Sequence, residues 1–249
     1  EYLERIGDEM GVVRALNGLA VAAIDLDLDA STAQSYIDAA LPVARRATGG
    51  ERLWLGILLG NRSEVERFEG GYRTAIASAR EALRILNEQH EKARAGWQLT
   101  NIAHCQLLEN DGAAAIKSLR EAYGYLSEEP DPRMIGWYFD VWIIVAAGLG
   151  YWDIAIRILG FVATFRARNG LVRLPLLLPW TAPVVSRLSR KYSEDAYERL
   201  VTEGGELTLE AAEELTRSIV VTRSAVPASP VPTTTRQRGR EPTTRRPSA

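Results

Sequence analysis

An all-α fold is what the sequence predicts, four stacked helix pairs closed by a helical cap, and three observations predict it. A unit of about 40 residues recurs, and each copy carries two stretches of 3.6-residue apolar period. No segment alternates polar and apolar residues as a half-buried strand would. The clearest marker is a small residue: Ala75, Ala115 and Ala155 are spaced by 40, each is followed by Ile, and Ala33 precedes the series by 42.

The elements follow in order. Leu16, Leu19, Ala20 and Ala23 draw an apolar stripe in the first half of unit one, and Leu99, Ile102 and Ala103 do so in unit three. Tyr72, Ala75, Ile76, Ala79, Leu83 and Leu86 form the matching stripe in the second half of unit two. Breaks at 27–29, 70–71, 110–112 and 150 separate the halves, where Gly or Asn can take the left-handed conformation that ends a helix. Asp131-Pro132 reads as a helix start. The units then occupy 8–48, 50–89, 91–129 and 131–169. A small residue where two helices cross lets them approach closely, and a pair that cannot bury its apolar face alone stacks on the next.

After Asn169-Gly170 the period stops. Pro175, Pro179 and Pro183 interrupt the chain, and three shorter helices are expected over 181–192, 193–203 and 208–221, with Ser193 and Thr208 as N-caps. The expected organisation is therefore repeats over 1–170, a C-terminal helical cap over 171–222 and a disordered Pro/Thr/Arg tail over 223–249.

Composition narrows the function. Of 249 residues, 30 are Lys or Arg and 32 Asp or Glu, but the tail carries +5 and the remainder −7. An acidic body argues against a nucleic-acid-binding fold, which needs a basic face, so only the tail could make weak contacts of that kind. One Cys and two His supply neither a disulfide framework nor a zinc site by themselves. The longest uncharged apolar stretch, 141–152, is too short to span a bilayer, and no secretory leader is visible. A cytoplasmic location, no membrane partner and no cofactor are the expectations. Neither a phosphate loop nor a catalytic triad is present; Gly148-Leu149-Gly150 reads as a helix stop.

The small-residue and Gly-break phasing resembles tetratricopeptide repeats in a long, 40-residue form, with HEAT-like pairs as the second possibility. That resemblance implies a right-handed superhelical solenoid. A narrower likeness rests on the run from Ala155-Ile156-Arg157-Ile158-Leu159-Gly160 to Ala163, the Pro-rich gap, Tyr197, and Glu203-Gly204-Gly205-Glu206-Leu207-Thr208. These residues resemble the C-terminal end of large bacterial signal-transduction ATPases and LuxR-type or SARP-type transcriptional regulators. The likeness covers most of 8–221 and departs at Arg62, where an apolar residue is usual, and at Thr202, where Trp is frequent. It implies a non-catalytic interaction or effector-sensing unit, whose partner is a protein segment from upstream domains or another protein, or a small effector. Nucleic acid would be engaged only through upstream domains or weakly through the tail.

Stacked pairs put their first helices on the concave side, so the candidate site residues come from those helices. They are Arg14 and Asn17 in unit one, Glu64 and Arg67 in unit two, Trp97 and His104 in unit three, and Trp137 and Asp140 in unit four, with Val21, Ile57, Gly60, Thr100, Leu107 and Ile144 at neighbouring phases. Trp97 and Trp137, 40 apart, form either an aromatic platform for a ligand or packing between units. His104 reads as a groove histidine exposed to solvent, near enough in phase to Asp140 for an acid–base pair. Asp25, Asp27 and Asp29 alternate like a calcium loop but lack its Gly and distal Glu, so a solvated turn is expected. Two other functions remain open: a nucleic-acid module using the basic tail, and an enzyme with its site in the groove.

Overall fold

The computed structural model describes residues 7–173 and 175–220, and among these every regular element is helical. The predicted tail, 223–249, lies outside the described residues. Four pairs of helices come first: α1 (Glu9–Asp25) with α2 (Ala30–Arg46), α3 (Leu53–Phe68) with α4 (Tyr72–Glu88), α5 (Lys92–Leu108) with α6 (Gly112–Glu128), and α7 (Pro132–Gly148) with α8 (Trp152–Arg168). A 3-10 turn over Gly49–Arg52 precedes α3, and another over Pro175–Leu177 leads into α9 (Leu178–Lys191), α10 (Glu194–Gly205) and α11 (Leu209–Arg217).

Local chemistry explains the boundaries. Inside the pairs the chain turns through positive φ at Leu28 (54°), Gly70 (87°), Asn110 (65°) and Gly150 (88°). Leu28 is the exception to the expectation of Gly or Asn, and a branched side chain there costs about 1–2 kcal/mol of backbone strain. Asp29 and Asp111 cap the following helices, accepting from Thr32 N (3.0 Å) and Ala114 N (2.9 Å), and Asp131 caps α7 through Arg133 N (2.8 Å). Ser193 and Thr208 cap α10 and α11 as expected. The first cap helix begins earlier than its prolines suggested: Pro179 sits in the first turn of α9, where no amide bond is lost, and Pro183 lies inside it.

From α1 to α10 each helix packs on its neighbours in the chain, α11 packs on α8, and the first helices also pack on one another, α1 on α3, α3 on α5 and α5 on α7. Ala33, Ala75, Ala115 and Ala155 are fully buried. A second series runs with them. Gly56, Gly96 and Gly136 recur on the first helices, and a Cβ at these positions would press on Leu86, Leu126 and Arg166 of the second helices. Arg62 is accommodated at the rim of its pair through Glu66 (2.9 Å), which also accepts from Ser78.

The cap docks by a closer contact still. Gly160 of α8 and Gly204 of α10 face each other so tightly that a Cβ on Gly160 would overlap the Val201 carbonyl and one on Gly204 the Arg157 carbonyl. Backbone cannot move aside as a side-chain tip can. Gly204→Ala is therefore expected to cost about 1–3 kcal/mol in urea unfolding. Gly124→Ala, where nothing lies within 4 Å on an exposed helix face, should gain about 0.5–1 kcal/mol. Equal effects at the two sites would contradict the close α8–α10 contact.

Candidate functional site

The face made by the first helices divides into a covered part and an open part. Beyond Gly170 (φ 64°) the chain doubles back: the Pro175–Leu177 turn reaches α1, and α9 lies on α7. Leu176, Leu177 and Trp180 are buried there. Trp180 meets Phe68 edge-on at 5.8 Å and His104 at 5.3 Å, and the Arg67 guanidinium lies 4.4 Å above its ring and 5.3 Å from that of Trp137. Arg67 Nη1 contacts His104 Nδ1 at 3.2 Å. Because arginine only donates, Nδ1 accepts and the imidazole proton sits on Nε2. Burial, then the Arg67 charge, hold His104 well below its usual range, so it is neutral.

Four of the expected groove residues therefore need correction. Arg67, His104, Trp137 and Asp140 are each 1% exposed or less, because the returning segment fills the space that an open groove would have left to them. His104 is not solvated, and it is not paired with Asp140. Asp140 instead accepts from Arg166 Nη1 (3.1 Å) and Nη2 (2.5 Å) and from Arg173 Nη2 (2.9 Å), tying the start of the returning segment to α7 and α8. Thr100, Leu107 and Ile144 are buried as well. Neighbouring Cys105 is buried with its thiol pushed up to about 12, first by desolvation, so it is no thiolate nucleophile at neutral pH.

What stays open is a cleft of about 290 Å³ touching all four first helices. Val21 and Asp25 of α1, Ile57, Asn61 and Glu64 of α3, Trp97 and Gln98 of α5, and Met134 of α7 line it, with Arg94 and Arg133 at its mouth. Glu64, although 7% exposed, has a structured acceptor site: its Oε1 receives Trp97 Nε1 (2.5 Å) and Asn101 Nδ2 (3.1 Å), and Asn101 Oδ1 in turn receives Trp137 Nε1 (2.9 Å). The buried Trp137 thus positions a carboxylate in the cleft wall. Asp25 is raised to about 7, by burial first and then by the charge of Glu64, with Arg67 opposing. Asn17 reaches the lining through Asn61, whose Nδ2 donates to it at 2.7 Å, whereas Arg14 is exposed beside Asp8 (3.6 Å) and outside the cleft.

Of the sequence-derived candidates, then, Glu64 and Trp97 meet in the cleft, with Val21 and Ile57 from neighbouring phases also in its lining; Asn17 supports it, and Arg14, Arg67, His104, Trp137 and Asp140 lie outside it. Gln98, Arg94 and Arg133 were not foreseen, and Asp25, expected in a solvated turn with Asp27 and Asp29, is instead the partly buried last residue of α1 in the cleft wall. Asp25 carried one signal: it ends α1, where the helix dipole disfavours a carboxylate, so its presence there is locally unfavourable. Among the described residues no group of three His, Cys, Asp or Glu is placed to hold a metal ion, and no helix is long and apolar enough to cross a membrane. The chain has no significant match to a family model, a curated protein or a solved structure.

Proposed function

We propose that the chain is a non-catalytic helical-repeat scaffold, a right-handed superhelical solenoid of tetratricopeptide-like pairs, that senses an effector or docks a protein segment in the cleft between α1, α3, α5 and α7. We further propose that it serves as the C-terminal regulatory part of a bacterial transcriptional regulator. The observation that supports binding is the reach of the cleft: one occupant would touch all four first helices, so it would bias how the four pairs stack. A bound ligand shifts such an equilibrium by its differential affinity for the two arrangements, which is what a sensor requires. An enzyme using the Asp25–Glu64 carboxyl pair is the second reading, favoured by the raised pKa of Asp25.

Filling the cleft tests the proposal. Met134 is half-buried in the lining, and Met134→Trp should abolish ligand-induced thermal stabilisation while leaving the helical content intact. In the full-length polypeptide the same substitution should lock transcriptional output in one state. Output that still responds to its signal with the cleft filled would overturn the sensor role, and turnover abolished by Asp25→Asn would favour the enzyme.

A further inference from the structure

The charges around the cleft do not balance locally. Arg94 is 3.3 Å from Glu91 of its own helix turn, and Arg133 is 3.0 Å from Asp131, so both rim cations are already paired. Arg67 is directed at His104 and the indole faces of Trp180 and Trp137, and among the described residues it makes no ion pair with a carboxylate. Glu64 is held by neutral N–H donors only. The Asp25 carboxyl has neither a hydrogen bond nor an ion pair among the described residues. With Asp25 ionised the site holds one negative charge in excess, in a partly desolvated wall where two carboxylates repel.

A separate observation points the same way. Gln98 is nine-tenths buried in the lining, its amide lying over Gly60, and its Oε1 has no hydrogen-bond partner. A buried acceptor without a donor is destabilising, and a ligand bringing N–H groups would relieve it. An anion would meet Asp25 and Glu64, and a neutral apolar ligand would leave Gln98 and both carboxylates desolvated. A donor-rich cation satisfies all three, and Trp97 adds an aromatic wall that suits it.

We infer that the cleft binds a small organic cation, an alkylammonium or guanidinium compound, with Asp25 and Glu64 as counter-charges and the Gln98 amide as a neutral contact. The inference rests on the cleft being the ligand site proposed above and names the class of ligand. The cleft volume of about 290 Å³ lies at the low end for small-molecule pockets, near 300 Å³, and so selects a short molecule rather than a folded partner. Binding is linked to protons. The charged groups facing Asp25 are Glu64 and Arg67 from α3, with Arg94 from α5 and Arg133 from α7 across the cleft; α2 and the Pro175–Leu177 turn contribute no charge to its shift. A cation needs Asp25 ionised, so with its pKa at about 7 the affinity should rise about tenfold between about pH 6 and pH 8.

The test is calorimetric titration of the full chain with agmatine and putrescine, and in parallel with glutarate and butyramide. One-to-one binding of the two cations is expected, tightening with pH as stated and weakened about tenfold or more by Asp25→Asn, since a desolvated counter-charge is lost. Asp25→Asn removes a charge that burial disfavours, so its thermal unfolding should be unchanged or higher, and Asp25→Glu should restore part of the affinity. A synthetic peptide of residues 233–247 is the competing arm: displacement of agmatine by it would make an arginine side chain of this chain the cation, and no displacement would leave the free small molecule. Cation binding that is unaltered by Asp25→Asn, or no saturation up to about 10 mM, overturns the inference. If glutarate or butyramide binds instead and Met134→Trp abolishes it, the cation class fails while the cleft stands; if nothing binds and Met134→Trp leaves regulation unchanged, both fail.

Discussion

Replacing Asp140 by Asn is expected to lower the unfolding free energy by about 3–5 kcal/mol, read as a lower urea midpoint at unchanged slope. The carboxylate is wholly buried and accepts three hydrogen bonds from two arginines. An amide keeps its shape, so no cavity contributes; what is lost is the charge that makes the two guanidinium groups tolerable in the interior. Their responses should differ. The Arg173 side chain, 23% exposed, can turn to solvent, whereas that of Arg166, 10% exposed, is enclosed between α7 and α8. The double substitution Asp140→Leu with Arg166→Met should therefore recover most of the loss, as apolar replacements of buried ion pairs do. Because Arg173 leads into the Pro175–Leu177 turn, amide exchange over 175–184 should also quicken in Asp140→Asn. A loss below about 1 kcal/mol would mean that the triad behaves as a solvated surface pair, with the returning segment held by other contacts.

The helix pairs were legible because their causes are local and periodic. Small residues at 33, 75, 115 and 155, breaks at Gly70, Asn110 and Gly150, and caps at Ser193 and Thr208 each express a constraint carried by one or two residues. Leu28 and His90, at positive φ without being Gly or Asn, could not be found that way, because tertiary packing imposes their conformation. One chemical exception was visible in the period. Gly56, Gly96 and Gly136 face Leu86, Leu126 and Arg166, all spaced by 40, so the fourth unit places an arginine where its predecessors have leucine, with Asp140 at the phase of Thr100. That alignment marks unit four as chemically different, and the structure shows the difference to be a buried ion pair. The return of Leu176 to Trp180 across the first helices is not periodic and left no such trace, which is why Arg67, His104, Trp137 and Asp140 read as groove residues. Asp25 read as part of a solvated turn and Gln98 carried no signal for a related reason: the cleft exists only once α1, α3, α5 and α7 are side by side.

Trp137→Ala is expected to cost about 3–5 kcal/mol, the range for truncating a fully buried aromatic, and Trp97→Ala about 1–2 kcal/mol. The two tryptophans share a phase in the repeat but not an environment. Trp137 is 1% exposed, lies 5.4 Å from the His104 ring and 5.3 Å from the Arg67 guanidinium, and donates to Asn101. Its loss would leave a cavity, an unpaired Asn101 carbonyl and a buried cation with one aromatic face fewer. Trp97 is half-buried in the cleft wall, 6.4 Å from Trp137, and its indole N–H holds Glu64. Trp97→Phe separates its two roles: the ring is largely kept, so stability should change little, but Glu64 loses a donor and the cleft its ordered carboxylate. Ligand binding should therefore weaken in Trp97→Phe while unfolding barely shifts, and a Trp97/Trp137 double-mutant cycle should return the coupling of about 0.5–1.5 kcal/mol expected of touching aromatic rings. Small and equal losses on removing either ring would return both to an open groove and detach Trp180 from the first helices; a large loss at Trp137 alone places the division between covered core and open cleft between these two residues.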